Sequence, residues 1–308
     1  MNRKYNRISM MAVLSLSAAL TQACTSEDNA GEGTVSITVA GGEAVRDGFP
    51  HTEGTRLYEF ADGWEISFDR FIVSVGGVTF SEPDGPAVAE TPDAVLVDLV
   101  AEPDAVVDAW VIEGVPALRN DVEIDLITAN SASRVINVSS EDAAQAITAG
   151  ATMWISGTAT RGEEVIPFDF VFDRPIAYSR CSNGVDGTRG LAVPRNGEAQ
   201  VSVSLHVIHM FETALVVQES ALRFDAMAAM IGDDGVLTLG DLATQSIQTP
   251  VGADGQLLTD NGDSIVYNDA GLLRPQDYNL AEFLDYASRN MVHFNGLGLC
   301  AARWADAN

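Results

Sequence analysis

Basic side chains are in short supply: 17 Lys and Arg face 44 Asp and Glu in 308 residues. Arg3, Lys4 and Arg7 lie in the first seven positions, which hold no acid. Without them 14 of the 17 basic residues remain, all Arg, and the 44 acids leave a net charge near −30. No basic stripe exists to neutralise phosphates, which excludes a nucleic-acid function. The same imbalance excludes charge-driven adhesion to anionic lipid, so membrane attachment has to come from acyl chains. The acid excess supplies solubility in a salty extracellular medium. Cation binding would require carboxylates that converge, and net charge does not establish that.

Catalytic signatures are missing too. The chain has no G-x-S-x-G elbow, no H-E-x-x-H, no phosphate loop and no dinucleotide fingerprint. The expectation is a protein that is not an enzyme, with no certain cofactor. A long apolar run is also absent. Ile8 to Leu20 falls short of the roughly 20 residues that cross a hydrocarbon core.

What precedes and follows that run gives it a meaning. A cationic start, a short apolar stretch and small residues at a cut form a secretory leader over residues 1–23. The leader resembles a bacterial lipoprotein signal, whose lipobox ends in the Cys that receives the lipid. Ala23-Cys24 matches; Leu20 stands one place early, and Gln22 is larger than usual. Thr21-Gln22-Ala23 also passes as an ordinary signal-peptidase site. Cysteine number bears on the choice. The three are Cys24, Cys181 and Cys300, and an odd thiol in an exported protein needs a role. Lipidation of Cys24 leaves Cys181 and Cys300 to form one disulfide in an oxidising compartment. The expected address is the cell envelope, lipid-anchored in the outer membrane on its periplasmic or surface face.

Residues 24–33 read as the lipidated Cys and a flexible tether. From 34 to 212, alternating segments separated by turn signals predict a mainly β fold, an antiparallel β-sandwich. The strand-like runs are 34–39, 64–75, 94–100, 122–127, 152–159, 165–172 and 199–208. Ser140 is placed to cap a short helix over 141–148, stopped by Gly150. Residues 213–308 are expected to be a helical C-terminal section packed on the sandwich. Its helices are read over 220–231 with Ser220 as N-cap, after the Thr238/Asp241 pair, and from Asn279 and Glu282.

The metal-ligating candidates are few. His206 and His209 end a strand-like run, with Met210 next; His293 lies beside Met291 and close to Cys300. On a continuing strand the first two would point to opposite faces, whereas a helical turn would bring them together. Imidazole with thioether suits copper, and imidazole alone also suits zinc. The alternative is that these histidines are structural or surface groups. A second candidate is the acidic turn from Met230 to Asp241, which looks like the latter half of an EF-hand loop. Asp234 and Asp241 remain, while Met230 and Gly232 occupy ligand positions, so it reads as a calcium-loop relic and calcium binding is not expected.

Several stretches together resemble an uncharacterised group of bacterial envelope lipoproteins seen in myxobacteria. They are Gly63–Phe71, His206–Phe211, Leu222–Ala226 with the acidic loop, and His293–Cys300. Strand order and Trp154 are also similar to the β-rich copper-binding proteins called MbnP-like. The nearer resemblance implies a His just before the final Cys, where this chain has Leu299. The resulting expectation is a membrane-anchored lipoprotein with a non-catalytic binding or structural role, its ligand or protein partner unknown. The alternative is an envelope copper-binding protein using His206, His209 and His293.

Overall fold

The computed structural model describes residues 31–53, 55–102, 104–215 and 220–305. The leader, Cys24 and most of the expected tether lie outside the described residues. The first strand, Glu32–Ala40, starts inside the end of that tether.

The fold is mainly β. A four-stranded sheet runs in the order Val292–Phe294, Glu198–Leu205, Glu32–Ala40, Val106–Pro116. The larger sheet has 11 strands, and its main path begins with Leu237–Thr238, Glu164–Phe172, Met153–Arg161 and Glu65–Ser81. It continues through Arg119–Leu126, Ile176–Ser179 and Ala301–Trp304. Most pairings are antiparallel, but Glu32–Ala40 runs parallel to Glu198–Leu205. Val35, Ile37 and Val39 of the smaller sheet share one buried core with Phe71, Val73, Phe80, Ile124 and Ile155 of the larger. That is the sandwich expected from period-2 alternation.

The longest strand shows how pattern follows environment. Glu65–Ser81 buries Ile66 and Phe68 on one face, then buries Phe71 to Val75 without a break. Those residues are covered on both sides, because the Ser140–Ala149 helix lies over the outer face. Ala143 and Ala146 pack there against Ile72, Leu96 and Trp154. The helix is capped by Ser139, one residue before the expected Ser140: its hydroxyl accepts the Asp142 N–H at 3.0 Å. Gly150 ends it in the left-handed region, at φ 63°.

Behind residue 212 the helices are sparser than the pattern suggests. Asn279 caps Leu280–Ser288 by accepting the Glu282 N–H, and Leu280, Phe283, Leu284 and Ala287 are buried. By contrast, only Asp225–Ala228 is helical within 220–231. Leu222 is instead held in bridges to Phe60 and Glu212, so tertiary pairing overrides helix propensity. The carboxylate of Asp62 replaces Ser220 as the cap, taking the Phe224 and Asp225 N–H groups at 2.7 and 2.9 Å. Thr238 donates to Asp241 as in a capping box, yet only the 3₁₀ turn Asp241–Thr244 follows. The section also contributes Val292–Phe294 to one sheet and Ala301–Trp304 to the other. The Cys181–Cys300 disulfide fastens it down across 119 positions. Among the described residues no helix is long and apolar enough to cross a membrane.

Candidate functional site

The site lies where the smaller sheet ends. Glu198–Leu205 stops at His206, whose N–H donates to the Met291 carbonyl at 2.8 Å. The chain then tightens into the 3₁₀ turn Val207–Met210. With three residues per turn, positions 206 and 209 fall on one side, which is the condition under which these two rings converge. Val207, Met210 and Phe211, fully buried, anchor the turn from beneath.

His293 arrives from the other end of the chain. Val292–Phe294 pairs antiparallel with the same strand, setting His293 opposite Ser204. Asn295 closes the strand at φ 51°, and its side-chain oxygen accepts the Ser202 N–H at 2.7 Å. The returning loop packs very closely on its neighbour: a Cβ on Gly298 would lie 1.9 Å from the Ser182 carbonyl oxygen. With Cys300 bonded to Cys181, residues 294–300 are held against residues 181–184.

The three imidazoles form a cluster. Ring centroids are 4.2 Å apart for His206 and His293, 5.4 Å for His209 and His293, and 6.4 Å for His206 and His209. The Nε2 atoms of His209 and His293 stand 3.2 Å apart. Nδ1 of His209 meets the Glu212 carboxylate at 2.7 Å. Burial, with His209 adding to it, lowers the pKa of His206 to about 4. Burial, reinforced by His206 and His209, lowers that of His293 to about 3. Both rings are therefore neutral at ordinary pH, with lone pairs available.

Hydrogen-bond accounting shows what the pair lacks. Glu212 requires a hydrogen on Nδ1 of His209, so Nε2 of a neutral His209 is a bare acceptor. If Nε2 of His293 donates to it, Nδ1 of His293 is a bare lone pair, buried without a partner. If instead Nδ1 of His293 carries the hydrogen, two Nε2 lone pairs face each other at 3.2 Å. A cation between the two nitrogens would relieve the facing lone pairs of the second tautomer, and the backbone at Asn290 and Leu297 favours a hydrogen on that ring. Tetrahedral ligand nitrogens with bonds of about 2.0–2.1 Å lie about 3.3 Å apart, close to what is seen. The donor set thus fits a metal that accepts imidazole. Among the described residues, however, no three His, Cys, Asp or Glu side chains already form a metal-ligand group. His209 and His293 are a ready pair, and His206, tilted 31° against His293, is a third ring within reach.

Met210 and Met291 are fully buried. His51, the fourth histidine, stacks on Tyr58 at 5.0 Å, apart from the cluster. Asp234 and Asp241 each turn an oxygen toward Gly232. The other Asp241 oxygen is held by the Thr238 N–H and hydroxyl, and Asp234 accepts the Val236 N–H at 3.2 Å. Leu299 is 64 % exposed on the loop after His293. Glu212 escaped the sequence reading. An i, i+3 carboxylate beside His209 was its only signal, and that signal has meaning only once a 3₁₀ turn is known.

Searched against protein-family models, curated proteins and solved structures, the chain finds no match.

Proposed function

We propose that this chain is an exported, lipid-anchored, non-catalytic protein of the cell envelope that binds a copper or zinc ion through His206, His209 and His293. The observation carrying the metal reading is the facing Nε2 pair of His209 and His293 at 3.2 Å. With His209 neutral, two Nε2 lone pairs face each other there whenever Nδ1 of His293 carries the hydrogen. Low pKa values on His206 and His293 keep two rings free to ligate, since a ligating imidazole has to be unprotonated. The metal would supply a charge that binds or carries; the protein's residues would hold the Nε2 atoms of His209 and His293 in place, with His206 as the third ring beside them.

Support for the address comes from the leader with its Ala23-Cys24 junction and from the Cys181–Cys300 bond, which suits an oxidising compartment. A protein-partner role is favoured separately by Val185, Leu297 and Leu299, 84, 71 and 64 % exposed on adjoining loops. Exposed aliphatic groups gathered in this way mark contact surfaces.

The test is metal content of protein purified without chelator, followed by copper and zinc titration of the wild type and of His206→Ala and His293→Ala. One equivalent bound by the wild type and lost or greatly weakened in both variants is the expected result. A wild type that takes up neither ion ends the metal reading. Intact mass of the mature protein tests the anchor, where a free thiol at Cys24 would overturn it.

A further inference from the structure

We infer that Glu212 is a positioning residue for the ion, which it governs by fixing the tautomer and ring orientation of His209. This rests on the metal reading above. The carboxylate lies 2.7 Å from Nδ1 and is itself only 12 % exposed, so water competes little for the contact. Nδ1 then carries a hydrogen whether the ring is neutral or charged. Only Nε2 remains to bind a ligand, and Nε2 is the atom that faces His293.

The carboxylate is in turn held by its backbone. Glu212 forms an antiparallel bridge with Leu222. On either side, the Thr213 N–H donates to the Ala221 carbonyl at 3.1 Å and the Arg223 N–H to the Phe211 carbonyl at 3.0 Å. Phe211 is fully buried between them. His209 and Glu212 are three residues apart across the end of a turn that this ladder locks, so the contact does not depend on a mobile surface side chain. A carboxylate behind an imidazole strengthens the ring as a donor and selects its metal-facing nitrogen, and losing it typically lowers metal affinity 10–100-fold. It also places a negative charge beside the ion.

Copper(II) titration against a chromophoric chelator, with the full mature chain, tests the inference on Glu212→Ala, Glu212→Gln and the wild type. Glu212→Ala should bind about 10–100-fold more weakly at unchanged stoichiometry, with an altered copper(II) EPR spectrum. Glu212→Gln, which keeps an accepting oxygen without the charge, should recover part of the affinity. It also carries the test if the alanine variant does not fold. Wild-type affinity in Glu212→Ala, or in Glu212→Gln when only that variant folds, overturns the inference and leaves the metal reading standing. So does a lower metal-free melting temperature without any change in affinity, because that marks a purely structural contact. If the wild type binds no copper or zinc, the metal reading itself has failed.

Discussion

His293 sits directly across the sheet from Ser204, two residues before His206, so one strand pairing sets the spacing of two imidazoles whose ring centroids are 4.2 Å apart. Those two rings have folded-state pKa values of about 4 and about 3 against an ordinary 6.5. The unfolded chain therefore binds more protons between pH 6.5 and about 3. Stability contributed by the neutral rings is present above pH 6.5 and lost as pH falls through that window. Glu212 faces His209 at the same cluster, and the three rings face one another. Asp62, Asp98, Asp125 and Asp285, raised mainly by desolvation, work in the opposite direction on acidification. Thermal melts of metal-free wild type and His293→Gln from pH 7.5 to 4 separate the two effects. The wild type should lose more stability, by an amount on the order of a few kcal/mol. Parallel curves would refute the assignment.

Reduction of the Cys181–Cys300 bond opens a loop of 119 positions. Chain-entropy arguments and measured losses in native proteins put the effect at about 2–5 kcal/mol. Denaturant melts of the Cys181→Ala/Cys300→Ala double variant should show a midpoint lowered accordingly. An unchanged midpoint would mean that the loop is already held as tightly by its packing.

Gly298 is a second lock on the same loop. A methyl group there would sit 1.9 Å from the Ser182 oxygen and 2.2 Å from the Phe294 oxygen, both backbone atoms that cannot swing aside. Gly298→Ala should cost on the order of 3 kcal/mol and weaken metal uptake through displacement of His293. Leu297→Ser, at a position 71 % exposed, should leave both nearly unchanged. Wild-type stability in Gly298→Ala would show that the two loops can separate freely.

Trp64 is nearly fully buried, and its ring N–H donates to Asp225 at 3.0 Å. The same carboxylate oxygen accepts from Arg161 at 2.5 Å. Asp225→Ala leaves a buried donor without its partner, so a loss of about 1–3 kcal/mol is expected, together with a change in tryptophan fluorescence. The measurement is a urea melt with the slope unchanged; a shift smaller than experimental error would remove the contact from the stabilising set.

The sandwich was legible because several of its longer strands carry period-2 burial, as in Glu32–Ala40 and Glu164–Phe172. Val106–Pro116 was not read as a strand. Its pairing with Glu32–Ala40 slips register near Ile37 and Thr38, and the slip breaks the alternation. Strands of three or four residues, such as Val292–Phe294 and Ile176–Ser179, are too short to show a period. Residues 220–231 have a helical composition, but Leu222 is held by bridges to Phe60, far away in sequence, and to nearby Glu212. The three cluster histidines could be listed from the sequence. Their convergence depends on a 3₁₀ turn after residue 206 and on a pairing across the chain, neither of which local composition encodes.

The parallel seating of Glu32–Ala40 beside Glu198–Leu205 also sets an order of events in time. The first strand to emerge from a translocation pore would have no such neighbour until more than 160 further residues had followed. Val292–Phe294, which adds itself to that same neighbour, comes later still. The Glu198–Leu205 side of that strand would therefore stay open until residue 205 had crossed, and the histidine cluster would close only once His293, inside the last tenth of the polypeptide, had followed. Any ion it holds would have to be acquired on the far side.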